Sequence, residues 1–492
     1  MLNAYHNLTD MDLSQYNLIW EYMQPELLLL LATILLFFVD LFASPRFLDK
    51  WFSGIACLLL AVVTALSCIP GGETNTLFAG MFINTPMTTA MKMVLNIGTI
   101  LVLLQAHAWI NSEACRVRRG EFYELMFFTL FGMYLMISSG HFLIFFIGLE
   151  TASLPIAALV AFNKQGDKSY ESGAKYLFNA VFSSAIFLMG ISFIYGISGS
   201  LYFEDIAATA ATNTALFVVA LAFIITGIGF KLSLVPFHLW TADVYQGAPT
   251  AITSYLSVIS KGAAAFAFIW VLFKTFSPAP EVWQGILYVL IILTITLGNL
   301  FAIRQKDLKR FLAFSSISQA GYIMLGVMAY SAQGITALVY YILVYIFSNL
   351  AAFGVIATIE HKTGKVNMDD YNGLYKTNPK LSLAMMLAMF SLAGIPPFAG
   401  FFSKFFIFAS AVHSGYYILV FIALLNTIIS LYYYLLVVKA MFINENENPI
   451  ETIKTGCYGR TGIVVCVAGI LLLGLASCVY GYLSELSLTV GF

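Results

Sequence analysis

Runs of about twenty apolar residues alternate with short polar segments along most of this chain. A helix needs about 20 apolar residues to cross the hydrocarbon of a bilayer. Reading the runs this way predicts an all-α polytopic membrane protein with about fourteen transmembrane helices. The spans are 25–44, 51–69, 87–109, 122–139, 141–162, 174–198, 214–234, 250–274, 283–303, 309–330, 333–360, 380–412, 416–441 and 461–483. The twelfth run is too long for one straight crossing. It contains Gly394, Pro396, Pro397 and Gly400, which predict a broken helix.

The polar segments carry the orientation, because basic loops stay in the cytoplasm. Arg46 and Lys50 follow span 1, Arg116, Arg118 and Arg119 follow span 3, and Lys164 and Lys168 follow span 5. Arg304, Lys306, Lys309 and Arg310 follow span 9, Lys362, Lys365 and Lys376 follow span 11, and Lys454 and Arg460 follow span 13. Loops after even spans carry no Lys or Arg, apart from Lys274 at the end of span 8. Both termini are therefore expected on the non-cytoplasmic side.

Spans 4–8 and 9–13 are each five helices long, so a unit followed by its copy must be inverted in the membrane. The fourth helix of each unit meets proline, at Pro236 in one and at Pro396 and Pro397 in the other, and each carries a lysine, Lys231 and Lys404. Inverted repeats with discontinuous helices mark a transport path. The organisation expected is residues 1–121 as three N-terminal helices, 122–274 as the first repeat, 275–441 as the inverted second repeat, and 442–492 as a loop and last helix.

Composition agrees with this picture. Of 492 residues, 60% are hydrophobic and only 10% are charged, too few to cover a soluble protein of this size. The net charge of −1 gives no field that would draw nucleic acid, and the lipid bilayer is the expected surrounding. Among the six cysteines no CxxC pair occurs. Neither a GxGxxG after a strand nor a GxxxxGK[ST] is present, and no His or Cys set is spaced for haem or an iron–sulfur cluster. No cofactor is expected in this chain, so the energy for transport must come from ion gradients or partner subunits.

Against this apolar background, Glu150 in span 5, Lys231 late in span 7, Lys261 in span 8 and Lys404 after the break in span 12 stand out. Such residues cost roughly 2.5–3.5 kcal/mol each at a membrane centre and normally face the bundle interior or water. Burial disfavours the charged form of an amine and a nearby carboxylate favours it, so a lysine with a movable acidic partner can load and release a proton. Glu150 is the expected partner of Lys231. Pro236 frees backbone groups and admits water, and His238 behind it could bridge to the cytoplasm. Glu171 and Lys175 read first as a surface pair one helical turn apart, with proton entry as the alternative. Tyr432, Tyr433 and Tyr434 read as packing. A static buried ion pair, a cation/proton antiporter coupled to sodium and a non-pumping scaffold remain open on these residues alone.

The stretch GFKLSLVPFHLWTADVYQGAPTAITSYLSVISKGAAAF, residues 229–266, resembles the signature of the subunit N family of proton-pumping NADH:quinone oxidoreductases, respiratory complex I. Its mitochondrial counterpart is subunit 2, and the photosynthetic complex of chloroplasts carries a related chain. FFIGLETASLP (145–155), ESGAKY (171–176), LKRFLAFSSISQAGY (308–322) and SLAGIPPFAGFFSKF (391–405) extend the match over spans 5–12. The family shares the antiporter-like fold of Mrp-type antiporters. The resemblance implies a membrane-arm subunit of the bacterial cytoplasmic (inner) membrane, beside other antiporter-like and small membrane subunits. NADH, FMN, iron–sulfur clusters and quinone would belong to partner subunits. It implies Glu150 with Lys231 in a first half-channel, Lys261 at the centre, Lys404 in a second half-channel and His238 on the hydrated axis between them. Gln319 stands where some relatives carry histidine, and a glutamine orients water without titrating.

Overall fold

The computed structural model describes residues 19–67, 74–164, 167–209, 214–476 and 478–488. Both chain termini, whose sidedness the loop charges address, lie outside those residues. Among the described residues thirteen helices are long and apolar enough to cross a membrane. In chain order the helices are α1 (Gln24–Phe42), α2 (Pro45–Ser67), α3 (Pro86–Ile110), α4 (Arg119–Ile137), α5 (Phe142–Val160) and α6 (Asp167–Ser198). A short α7 (Phe203–Thr209) precedes α8 (Thr214–Leu232) and α9 (Leu239–Gly247). Then α10 (Thr250–Tyr255) runs through a π-helical turn, Leu256–Ser260, into α11 (Lys261–Thr275). The rest are α12 (Pro280–Ala302), α13 (Leu308–Met328), α14 (Ala332–Thr363), α15 (Leu374–Thr377), α16 (Pro379–Ala393), α17 (Ala399–His413), α18 (Tyr417–Phe442), α19 (Cys457–Leu475) and α20 (Cys478–Leu488).

Several boundaries differ from the sequence reading. α2 starts at Pro45, so Arg46 and Lys50 lie on its first turns and not in a loop. Polar residues at a helix end can stay in the headgroup region while the helix continues, which hydropathy does not register. The last span is two helices, α19 and α20. A small hairpin, β1 (Asn75–Leu77) with β2 (Phe82–Asn84), pairs antiparallel before α3. It covers the α4–α5 corner, where Ile83 N donates to Ser138 O at 2.8 Å and Gly140 N to Met81 O at 2.9 Å.

Two five-helix units are legible in the packing. In the first, α4 packs on α5, α5 on α6, α6 on α8 and α8 on α11, and α11 returns to α4. The second repeats the scheme: α12 on α13, α13 on α14, α14 on α16 and α17, α16 on α18, and α18 back on α12. The third helix of each unit has 32 residues, about 48 Å at 1.5 Å per residue. Each fourth helix is discontinuous, with α8 stopping at Leu232 and α16 at Ala393. Gly394, at φ +86°, ends α16 in the left-handed region open to glycine.

Close backbone approach sets the α4–α5 contact. A Cβ on Gly132 would fall 2.4 Å from Ala152 N, and one on Gly148 2.6 Å from Met136 N, both backbone atoms with no room to yield. This contact aims the face of α5 that carries Glu150 and Ser153. At one end of the bundle a chain of charges ties three elements together. Lys175 on α6 lies 2.6 Å from Glu171 and 2.8 Å from Asp243 on α9, and Asp243 accepts from Arg310 on α13 at 2.6 Å. The surface pair expected of Glu171 and Lys175 therefore extends into a four-residue network. Partial burial works against the charge of Asp243, but the bonds from Lys175 and Arg310 outweigh it and hold its carboxyl below the usual carboxylate range.

Gly148→Val should force α4 and α5 apart at a cost of about 1–3 kcal/mol, read as a lower Tm and less folded protein in the membrane. Because the folded state lowers the Asp243 pKa, its contribution is complete above about pH 5 and fades as pH falls below the unfolded carboxylate value of about 3.9. Thermal melts across this range should show Asp243→Asn less stable than the parent at neutral pH, with the two converging in acid.

Candidate functional site

The lysines singled out in the sequence all point inward. Lys231 is 6% exposed, Lys261 3% and Lys404 5%. Among the described residues none of the three has a carboxylate within ion-pair distance; neutral oxygens hold each one.

Lys231 lies in the last turn of α8, where unpaired carbonyls make the helix end partly negative. Its Nζ donates to Ser153 Oγ at 2.5 Å, and Ser153 in turn donates to Leu149 O at 2.6 Å. The expected Glu150–Lys231 ion pair is not formed. Glu150 is half-buried and accepts a hydrogen bond from Ser184 on α6 instead. Ser153 stands one helical turn from Glu150 on the same face of α5 and takes the Lys231 amine, while Glu150 turns to α6. Past Lys231 the chain turns through Ser233, at φ +60°. Leu234 N then caps Gly229 O at 2.9 Å, Trp240 Nε1 reaches Phe230 O at 3.2 Å, and Val235 N donates to Thr294 Oγ1 at 2.9 Å. The break thus leaves its backbone satisfied. His238 sits at the start of α9, 7% exposed, with Nδ1 lacking a hydrogen-bond partner.

Lys261 begins α11 directly after the π turn, a geometry often found at functional positions. Its Nζ donates to Ser316 Oγ on α13 at 2.8 Å and lies 5.4 Å from the centre of the Tyr245 ring. A narrow cavity beside it is lined by Leu232, Ser316, Ala320 and Tyr345. The Tyr245 and Tyr345 hydroxyls are buried without partners. Buried polar atoms of this kind are normally satisfied by ordered water.

Lys404 on α17 reaches back to the end of α16, where Nζ donates to Leu392 O and Ala393 O, each at 3.0 Å. These carbonyls lose their helical donors because α16 ends at Gly394. The ammonium also faces the Tyr322 ring at 5.3 Å. A second narrow pocket joins Lys404 to Gln319, Tyr341, Tyr345 and Ser391, so Tyr345 lines both cavities.

The sequence reading missed how Gln319 is held. Its Nε2 donates to Tyr434 Oη at 3.1 Å and to Leu392 O at 3.5 Å, the same carbonyl that Lys404 uses, and its Oε1 accepts from Tyr341. Tyr434 also bonds Ser315 at 2.5 Å, and Tyr433 donates to Asn299 Oδ1 at 2.9 Å. The three adjacent tyrosines therefore divide: Tyr433 and Tyr434 are buried and bonded, while Tyr432 is 56% exposed. The helical period that turns one outward was the available signal. Lys309, counted as a loop charge, is instead buried in the first turn of α13, bonded to Ala248 O at 2.9 Å and Glu360 at 3.1 Å. A further buried pair, Glu26 with Lys92, escaped the reading although PMTTAMKMVLN shows a lysine inside span 3.

This arrangement has relatives. A family model described as NADH:quinone oxidoreductase/Mrp antiporter, TM, matches residues 139–430. A protein named NADH-quinone oxidoreductase subunit N from Phocaeicola vulgatus is 59% identical over 465 residues, covering 94% of this chain and 98% of that one. A chain in the structure of respiratory complex I from Thermus thermophilus superposes with a TM-score of 0.78 at 30% identity, covering 92% of this chain and 97% of that one. A chain of the Mrp complex from Dietzia sp. DQ12-45-1b shares the fold with a TM-score of 0.83 at 22% identity, covering 95% and 96%. With the broken helices and their lysines in place, and more than half its length matched by the family model, the chain belongs to the NADH:quinone oxidoreductase/Mrp antiporter membrane family, and within it to the subunit N family of NADH-quinone oxidoreductases.

Proposed function

We propose that this chain moves protons across the membrane as a subunit of an NADH:quinone oxidoreductase, through Lys231, Lys261 and Lys404, with redox chemistry confined to partner subunits. One observation carries the reading: three buried amines are held by neutral groups alone, and two of them, Lys261 and Lys404, line cavities that meet at Tyr345. A serine hydroxyl can accept from an ammonium or donate to an amine. Ser153 and Ser316 can therefore hold Lys231 and Lys261 in either protonation state. The two carbonyls at Lys404 only accept. Glu150, one turn from Ser153, is near enough for a rotamer change to alter what Lys231 feels. Moving one charge against 100 mV costs about 2.3 kcal/mol, and a hundredfold change in a lysine's proton affinity supplies about 2.7 kcal/mol. The magnitudes suffice.

The proton would pass from Lys231 towards Lys261, with water at the Tyr245 hydroxyl, and onward past Tyr345 and Gln319 to Lys404. His238 would lie on this axis, and Lys175 with Asp243 would stand at its entry. The matched pairing schemes, 32-residue third helices and broken fourth helices support two inverted repeats over residues 122–274 and 275–441, with α16 and α17 together as one crossing and fourteen in all. The expected setting is the bacterial inner membrane with the termini outward, beside other antiporter-like and small membrane subunits.

In the complete complex reconstituted in vesicles, Lys231→Ala and Lys261→Ala should abolish this subunit's share of NADH-driven proton transfer while the subunit still co-purifies. Wild-type proton yields in both would overturn the path. Tyr345→Phe should leave assembly and Tm unchanged, since its hydroxyl has no protein partner, yet slow proton transfer by removing a hydroxyl at the junction of the two cavities.

A further inference from the structure

The three N-terminal helices contain a second buried charged site. Glu26 on α1 and Lys92 on α3 are each 0% exposed, with Lys92 Nζ 2.6 Å from Glu26 Oε1. Isolating such a pair from water is expensive unless further hydrogen bonds complete both ions. Here completion is partial. Lys92 reaches Asn84 Oδ1 on the hairpin only at 3.4 Å and is flanked by the Phe82 and Tyr134 rings, at 5.4 and 5.7 Å. Both Glu26 oxygens lack an aligned hydrogen-bond donor, Asn96 Nδ2 lacks an acceptor, and Ser138 Oγ lacks a partner. An unmatched acceptor and donors in one buried cluster call for ordered water between them.

The cluster also leads somewhere. Lys92, Asn96 and Thr99 are spaced four and three residues apart, so they form a polar stripe on one face of the otherwise apolar α3. Asn96 accepts from Tyr134 on α4. About one turn deeper, Tyr255 bonds Thr129 of α4 at 2.7 Å. Tyr255 ends α10, immediately before the π turn. Within that turn Ser257 accepts from Asn349 on α14 at 2.6 Å, and Asn349 Oδ1 is itself unpaired. Lys261 follows on the same helix. Every one of these side chains is buried. Neutral polar groups can join membrane helices by hydrogen bonds alone, but this row runs between two buried ionisable sites, and ionisable residues within a membrane mark ion paths by default.

We propose that Glu26–Lys92 is a hydrated proton-releasing site at the end of a side branch, which leaves the central lysine Lys261 by way of Ser257–Asn349, Tyr255–Thr129 and Tyr134–Asn96 and opens beneath the β1–β2 hairpin. The branch rests on the reading of Lys261 as a proton carrier. A proton delivered to Glu26 forms the neutral acid, and its loss to water at the hairpin restores the carboxylate beside Lys92. By the loop charges this is the non-cytoplasmic face, so the branch is a second outlet beside Lys404.

The test uses the complete complex in vesicles, scoring protons moved per NADH oxidised. Glu26→Gln with Lys92→Met removes both charges together, so a pair that serves packing alone should be replaced without loss. The branch instead requires a yield below wild type in that double variant. It requires the same in Tyr134→Phe, which keeps the ion pair and the ring packing and removes only the hydroxyl link. Wild-type yield in Tyr134→Phe, or in an assembled double variant, overturns the proposal. Lys261→Ala is the control: if it falls while those variants match wild type, only the branch fails, and if it pumps normally the axis itself fails.

Discussion

A lysine in hydrocarbon needs hydrogen-bond acceptors, and an unbroken helix offers few because each carbonyl already bonds a donor within it. Lys231, Lys261 and Lys404 meet that constraint with neutral oxygens, from serines at the first two and from a helix end at Lys404. α8 and α16 stop in mid-bundle, and each stop releases carbonyls and a partly negative helix end. Lys404 occupies two such carbonyls directly. Lys231 stands in the last turn of α8 and takes Ser153, while the freed carbonyls beside it are capped by Leu234 and Trp240. At Lys404 the helix break and the lysine are therefore one device.

The rest of the fold keeps this device dry at the rim and polar at the centre. α13 is buried over its whole apolar length, as is the helix formed by α10, the π turn and α11. These central helices carry Ser316, Gln319 and Lys261. Outer helices such as α6, α12 and α18 expose much of their surface, as lipid or neighbouring subunits require. Among the N-terminal helices, the Glu26–Lys92 pair is as deeply buried as Lys231, Lys261 and Lys404.

The likeness in fold to an Mrp chain at 22% identity has a physical basis. The scaffold is a set of long apolar helices with breaks at α8 and α16, and its close crossings, such as Gly132 with Gly148, require small residues and not a particular sequence elsewhere. That leaves most of the sequence free to drift while the architecture persists.

Much was legible in the chain before folding. Hydropathy alone marks the crossings, since a bilayer sets a minimum length for an apolar helix, and proline and glycine mark the breaks, since proline lacks a donor and glycine readily leaves the helical conformation. Glu150, Lys231, Lys261 and Lys404 stand out because charge is costly in lipid. Partnership was not legible, because it depends on which side chain of a facing helix packs against each charge. Ser153 displaces Glu150 at Lys231, Gln319 and Lys404 converge on Leu392 O, and Tyr434 but not Tyr432 turns inward. The Glu26–Lys92 pair joins residues 66 positions apart, near helix ends where a charge looks solvated. The one-dimensional pattern determined where the membrane is crossed and where it is costly to be charged. Only the packing of helices distant in sequence decided which oxygen each charge would find.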